Sequence, residues 1–396
     1  MSSLPSRCAL PTLSMLGVGV IGSLVLMTLP ILVAGMVARF NLGEREIGWL
    51  AATDMAGSAV ASLACLRYIA RINWRTAAWL AITVVIIGNL LSTQADGFVT
   101  LAAARFLAGA ANGVLLSIAF VGLCHSSDPD RYFGFYTFAQ LALQALALWL
   151  LPMVLAAHGL TAVFVILASA SALSALLVRT IPVSLASAAN PPAHVPPDVQ
   201  QDRIHGAARR GILIALAGQA AYFVAPAAVW AYLEPIGSGF ALTGVQIGRA
   251  LGIASLAAMV GALAVIFVGV RVSRMVLMSG GTLLSLMALV LLHDGSGFVR
   301  YLVAASVFNF AWNFTFPYQM GVLASFDSSG SVAIHSLLVQ LFGLALGPLF
   351  ASALLIGERF SAILWACGVC YVLSLFMFAA SMRLAPPAAG SVETTT

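Results

Sequence analysis

A chain of 396 residues that is 61% hydrophobic and only 8% charged has too few polar side chains to cover a soluble surface, where about 25% would be charged. The net charge of +5 comes from 18 arginines, with no lysine, against 13 acidic residues. Spread over short loops, that charge bears on membrane orientation and excludes nucleic acid as a partner. The composition is that of a multi-pass membrane protein.

A membrane helix needs about 20 apolar residues. Such segments fall at roughly 11–38, 47–66, 76–94, 98–122, 133–157 and 160–179, and again at roughly 211–234, 245–267, 276–293, 298–324, 332–356 and 361–382. The first runs well beyond a signal-peptide core and lacks a cleavage site, so it reads as a retained helix. Between the sixth and seventh lies the most polar stretch of the chain, 180–210, with five of the 16 prolines. A Pro-rich segment bearing Gln, Asp and Arg buries too little apolar surface to order itself and reads as a solvated linker. The expected organisation is an N-terminal six-helix bundle (1–179), the linker (180–210), a C-terminal six-helix bundle (211–384) and a tail (385–396). The fold class is therefore an all-α membrane protein with twelve transmembrane helices in two pseudo-symmetric bundles.

Orientation follows from the arginines. With the N-terminus inside, twelve fall in cytoplasmic segments (Arg7, Arg67, Arg71, Arg75, Arg131, Arg179, Arg203, Arg209, Arg210, Arg271, Arg274, Arg383) and three in outer loops (Arg39, Arg45, Arg359). This positive-inside bias places both termini and the linker in the cytoplasm, in a bacterial inner membrane.

The halves also read as copies offset by 200 residues. Ile47-Gly48 opens the second segment and Ile247-Gly248 the eighth; Gly97-Phe98 opens the fourth and Gly297-Phe298 the tenth; Gln140 matches Gln340. Two such repeats imply two bundles rocking about a cavity at the bilayer midplane.

Polar groups within the spans are costly in lipid and mark function. Asp54 lies seven residues past Ile47 and Arg105 seven past Phe98, on segments running inward from the same face. Both sit about 10 Å deep at 1.5 Å per residue. Equal depth allows either a static ion pair or a proton site in which Asp54 takes up a proton and frees Arg105 for a polar or anionic substrate group. In the tenth segment Asn309, Trp312, Asn313 and Phe316 share one face, where two amides and an indole suit a ring-bearing ligand, or else amide bonding between helices. Pro317 is expected to kink that helix, a feature common at gates. The seventh segment carries a similar stripe with Gln219, Tyr222 and Trp230. Tyr136, Gln140 and Gln144 form a third, which lines a cavity or seals the bundle interface. Asn112 lies near the Arg105 face.

Residues 105–113, Arg105-Phe-Leu-Ala-Gly109-Ala-Ala-Asn-Gly113, match an R-x-x-x-G-x-x-x-G pattern. Residues 66–75 form an Arg-rich turn holding Arg67, Arg71 and Arg75. With the six-plus-six layout, these resemble the major facilitator superfamily over nearly the whole chain. The turn has Ala70 and Asn73 where that family's loop motif carries Asp and Gly. The resemblance implies a secondary transporter whose first, fourth, seventh and tenth helices line the cavity. It implies gating by Arg71 and Arg75, with Arg271 and Arg274 in the matching turn of the second half.

No H-E-x-x-H, G-x-S-x-G or Walker loop is present, so a membrane enzyme is excluded and neither cofactor nor metal is expected. The linker and tail are too short for a sensor or scaffold. The expected partners are a small-molecule substrate, neutral or weakly anionic, protons and lipid, with the protein acting as a monomer. Protons are preferred over sodium because Asp54 is a single carboxylate, whereas a metal ion wants several convergent oxygens. Drug or metabolite efflux and nutrient uptake both remain open.

Overall fold

The computed structural model describes residues 9–124, 126, 129–184, 206–268, 272–293, 295–326, 331–355 and 360–384, and every regular element among them is helical. A backbone in hydrocarbon must satisfy its own N–H and C=O groups, and a helix does so within one segment. The first crossing is α1 (Ala9–Gly22) and α2 (Leu24–Phe40), which meet at Ser23, whose Oγ donates to the Val20 carbonyl at 2.9 Å. Then come α3 (Glu44–Tyr68), α4 (Trp74–Thr93) and α5 (Phe98–Cys124). The fifth and sixth crossings form one helical stretch, α6 (Pro129–Val178), broken at Gly159, whose φ of 72° and ψ of −178° a side chain would disfavour. Both ends of α6 return to α1: Tyr136 packs beside Gly19, and Ser14 and Thr180 share a hydroxyl hydrogen bond of 2.5 Å.

The second half comprises α7 (Gly206–Gly239), α8 (Gly244–Val268), α9 (Arg274–Leu292), α10 (Phe298–Ala324), α11 (Ser331–Leu354) and α12 (Ser361–Met382). Among the described residues, ten helical stretches are long and apolar enough to cross a membrane. The break at Gly159 divides one of them in two, and α10, rich in amides and aromatics, is a further helix of 27 residues, consistent with the twelve expected crossings. Most of the expected linker, 185–205, and the tail, 385–396, lie outside the described residues. α7 begins at Gly206, slightly before the expected boundary.

The 200-residue repeat has a structural counterpart. Asn73 caps α4 by accepting from Thr76 N at 3.1 Å, and Ser273 caps α9 by accepting from Val276 N at 3.4 Å. Gly48 of α3 lies so close to α11 that a Cβ there would strike the Pro348 carbonyl oxygen and sit 2.5 Å from Ser352 Cβ. Gly248 of α8 lies likewise against α6, where a Cβ would strike the Pro152 ring and sit 2.7 Å from the Leu148 carbonyl oxygen. The two sets, 48 with 348 and 352, and 248 with 148 and 152, keep one offset.

These two glycine contacts join the bundles on the face opposite the chain termini, here the far face. On that half a single apolar core runs through both bundles, from Leu32, Leu50, Leu148 and Phe164 to Tyr232, Leu251 and Tyr301. On the terminal half the cores are separate. One holds Val18, Trp74, Ile82 and Ile118 of the first bundle, and another holds Ile212, Met278, Val322 and Phe378 of the second. The molecule is thus closed at the far face and divided at the terminal face.

Overpacking a tight contact costs about 1–3 kcal/mol, so Gly48→Ala and Gly248→Ala are expected to weaken the far-face seal. With the native cysteines replaced, a reporter cysteine at Leu50 should react with a soluble maleimide faster in either variant. An unchanged rate would mean that these glycines do not set the closure.

Candidate functional site

Arg105, Gly109 and Gly113 recur every four residues on α5 and face α3. A Cβ at Gly109 would strike the Asp54 carbonyl oxygen, one at Gly113 that of Ser58, and one at Gly57 of α3 that of Phe106. Small residues at this spacing let two membrane helices come into backbone contact. That approach brings Arg105 onto Asp54: Nε donates to Oδ2 at 2.8 Å, and Nη2 lies as near to the same oxygen but off the N–H direction. The remaining guanidinium edge is held by α4, where Asn89 Oδ1 accepts from Nη1 at 2.8 Å and Ser92 Oγ at 3.4 Å. The Phe164 ring centroid lies 5.4 Å from Cζ. Arg105 is 2% exposed and Asp54 3%, so the pair sits inside the first bundle.

Between the bundles lies a cavity of about 250 Å³, reaching from Trp230 near the middle of the fold to Phe133 and Leu337 toward the terminal face. Asn309, Trp312, Asn313 and Phe316 of α10 all line it. So do Gln140, Gln144 and Tyr136 of α6, and Gln340, the repeat partner of Gln140. Gln144 Nε2 also donates across the interface to Ser255 Oγ of α8 at 3.1 Å, and Trp230 Nε1 to the Leu26 carbonyl of α2 at 2.9 Å. The Trp230 and Trp312 rings meet edge to face at 6.4 Å.

A second, water-sized cavity of about 20 Å³ lies beside Asp54. Ser58 and Asn112 line it, and it shares Ser23, Leu26, Leu116, Leu341 and Leu344 with the large one.

The remaining expected positions are elsewhere. Gln219 and Tyr222 are buried within the second bundle. Gln219 Nε2 contacts Met320 Sδ at 3.6 Å, and the Tyr222 hydroxyl donates to the Trp312 carbonyl at 3.4 Å. Arg105 is not among the cavity-lining residues, since its guanidinium faces α4 and α6. Arg71 is exposed on the terminal face; Arg75 Nε donates to the Ile181 carbonyl at 2.6 Å and Arg274 Nη1 to the Gly321 carbonyl at 2.8 Å. Pro317 sits within α10 without ending it. Arg271 lies outside the described residues. Asn89, Ser92 and Phe164 were not expected around Arg105, although Asn89 is the one amide in the α4 sequence and a polar residue in a span is a signal.

Two six-helix bundles joined by a pseudo-symmetric seal, with a cavity between them and a charged pair inside one, define a secondary transporter. Residues 14–334 match the profile of the Major Facilitator Superfamily, and the chain belongs to that family. No curated protein matches the sequence. Among solved structures, the D-xylose-proton symporter is 17% identical with a TM-score of 0.72, covering 96% of this chain and 97% of that one. The nucleoside transporter NupG is 14% identical with a TM-score of 0.70, covering 96% and 100%. A bacterial homologue of the human lysosomal transporter Spinster, inward-facing and unoccupied, is 14% identical with a TM-score of 0.67, covering 97% of each chain.

Removing one partner of a buried ion pair leaves an uncompensated charge, at a cost of about 3–5 kcal/mol. Asp54→Ala is therefore expected to lower the thermal midpoint in detergent sharply. Asp54→Ala combined with Arg105→Leu should recover most of the loss. Additive losses in the double variant would show that the two charges are not coupled.

Proposed function

We propose that this protein moves a small organic molecule across a bacterial inner membrane by alternating access, driven by the proton gradient, with Asp54 as the proton acceptor. The observation that carries the reading is the position of Asp54 between two environments. On one side Arg105 holds Oδ2. On the other lies a cavity with room for about one water, walled by Ser58 and Asn112 and sharing its side with the large cavity. A proton delivered there neutralises the carboxylate and releases the hold of α5 on α3. Since α3 also carries Gly48, the change is transmitted to the far-face seal.

Substrate recognition falls to the large cavity, with Asn309, Trp312 and Asn313 on one bundle, Gln140 and Gln144 on the other, and Trp230 at its closed end. Asn112 serves the proton path. Gln219 and Tyr222 support α10 from behind. Arg75 and Arg274 strap helix ends on the terminal face, and with Arg71, Arg271 and the Pro317 break in the α10 ladder they make up the moving gate. The terminal face is cytoplasmic, as the arginine bias implies, and residues 180–210 tether the bundles there. One monomer suffices, because its own two bundles enclose the cavity. The names of two similar structures, a nucleoside transporter and a D-xylose-proton symporter, accord with a polar ring-bearing substrate and with proton coupling.

The test is transport of a compound panel by vesicles under an imposed pH gradient, run inward and outward. Wild type should accumulate its substrate against a concentration gradient, whereas Asp54→Asn should only equilibrate it. Gradient-driven accumulation by Asp54→Asn would overturn the proton site. Filling the water-sized space with Asn112→Leu should slow accumulation while leaving substrate exchange intact; equal slowing of both would argue against a proton path there.

A further inference from the structure

The wall of the large cavity has a polarity of its own. Asn309 Nδ2 donates to the Ala305 carbonyl and Asn313 Nδ2 to the Asn309 carbonyl, each at 3.0 Å. Both amides therefore turn a nitrogen toward their own helix, and both Oδ1 atoms stay open to the cavity, in contrast to the enclosed, unpartnered Oε1 of Gln219. Four neighbouring donors are engaged in the same way. Ser23 Oγ donates to Val20 O, Ser62 and Ser117 Oγ both donate to Gly113 O, and Trp230 Nε1 donates to Leu26 O. No basic side chain among the described residues reaches the lining, and Arg105 is turned away by Asn89, Ser92 and Phe164. Aromatic rings, whose faces are electron-rich, make up much of the rest.

We propose that this cavity selects small ring compounds by the hydrogens they offer: N–H or O–H donors on a molecule without negative charge, set against Asn309 Oδ1 and Asn313 Oδ1. The proposal rests on reading the cavity as the substrate site. A carboxylate or phosphate would meet no cation in the lining, and an anion left unpaired in a confined site is costly. An ammonium gains from the carbonyl dipoles and from the ring faces. A neutral alcohol or amide gains from the hydrogen bonds alone. The cavity volume, about 250 Å³, admits one such ring with a short side chain.

Tyramine, tyrosol and 4-hydroxyphenylacetate share a phenol ring and end in an ammonium, a hydroxyl and a carboxylate. Their binding to the intact purified protein is measured by calorimetry at neutral pH, without any transport step. A carboxylate desolvated beside no cation loses its hydration without a partner, so the amine and the alcohol are expected to bind about ten-fold or more tighter than the acid. Asn309→Leu combined with Asn313→Leu should erase most of that gap, while wild type alone carries the selectivity result if the variant fails to fold. Tighter binding of the amine than the alcohol would identify a cationic substrate class, and equal binding a neutral one; both uphold the proposal. Binding of the acid as tight as that of the others, or no binding by any member of the series, overturns it. Because the measurement is at equilibrium, its failure is distinct from a failure of Asp54-dependent accumulation.

Discussion

A charge inside a membrane bundle is tolerable only when it is paired and hydrogen-bonded, and among the described residues that demand is met where α3 touches α5. Arg105 donates to Asp54, Asn89 and Ser92 at once. The backbone contact that makes this reach possible depends on Gly57, Gly109 and Gly113, since any side chain on them would meet a carbonyl or amide of the facing helix. The ion pair and the glycines are thus one device. Without the close approach the charges would stand apart and unpaired, and without the pair that face of the helices would carry two isolated charges into an apolar interior.

The device lies on the helix that also closes the far face. Asp54 and Gly48 are on α3, six residues apart, and Gly48 is where α3 meets α11. The buried pair and the contact between the bundles therefore share one helix. The second bundle reaches the same interface through Gly248 on α8 but has alanine at both 254 and 305, where the first has Asp54 and Arg105. One bundle carries the charges, and the other supplies α10, whose amides and indole form a wall of the cavity. The repeat preserved the seal and let the interior of each half diverge.

Much of this organisation is legible in the chain. Apolar run length gives the crossings and a constant offset gives the two bundles, because each is a local or periodic property. The α10 face is legible too, since positions 309, 312, 313 and 316 share a side of any helix. The α7 stripe is not. Gln219, Tyr222 and Trp230 also share a side, yet only Trp230 reaches the cavity. Periodicity identifies a common face, whereas the tilt of the helix against its neighbours decides which part of that face meets the cavity. The Gly159 break falls between the expected segments 133–157 and 160–179, and it is made by a single residue with positive φ.

The sequence by itself determined the membrane class, the crossings, the repeat and the equal depth of Asp54 and Arg105, because hydropathy and rise per residue are properties of one segment at a time. Only the tertiary structure decided that Asp54 meets Arg105, that Arg105 faces Asn89 and Phe164 rather than the cavity, and that Asn309 and Asn313 leave their carbonyl oxygens open. Each of these depends on which residues from distant segments crowd the same point, and on which hydrogen bonds remain to be made once the helices have packed.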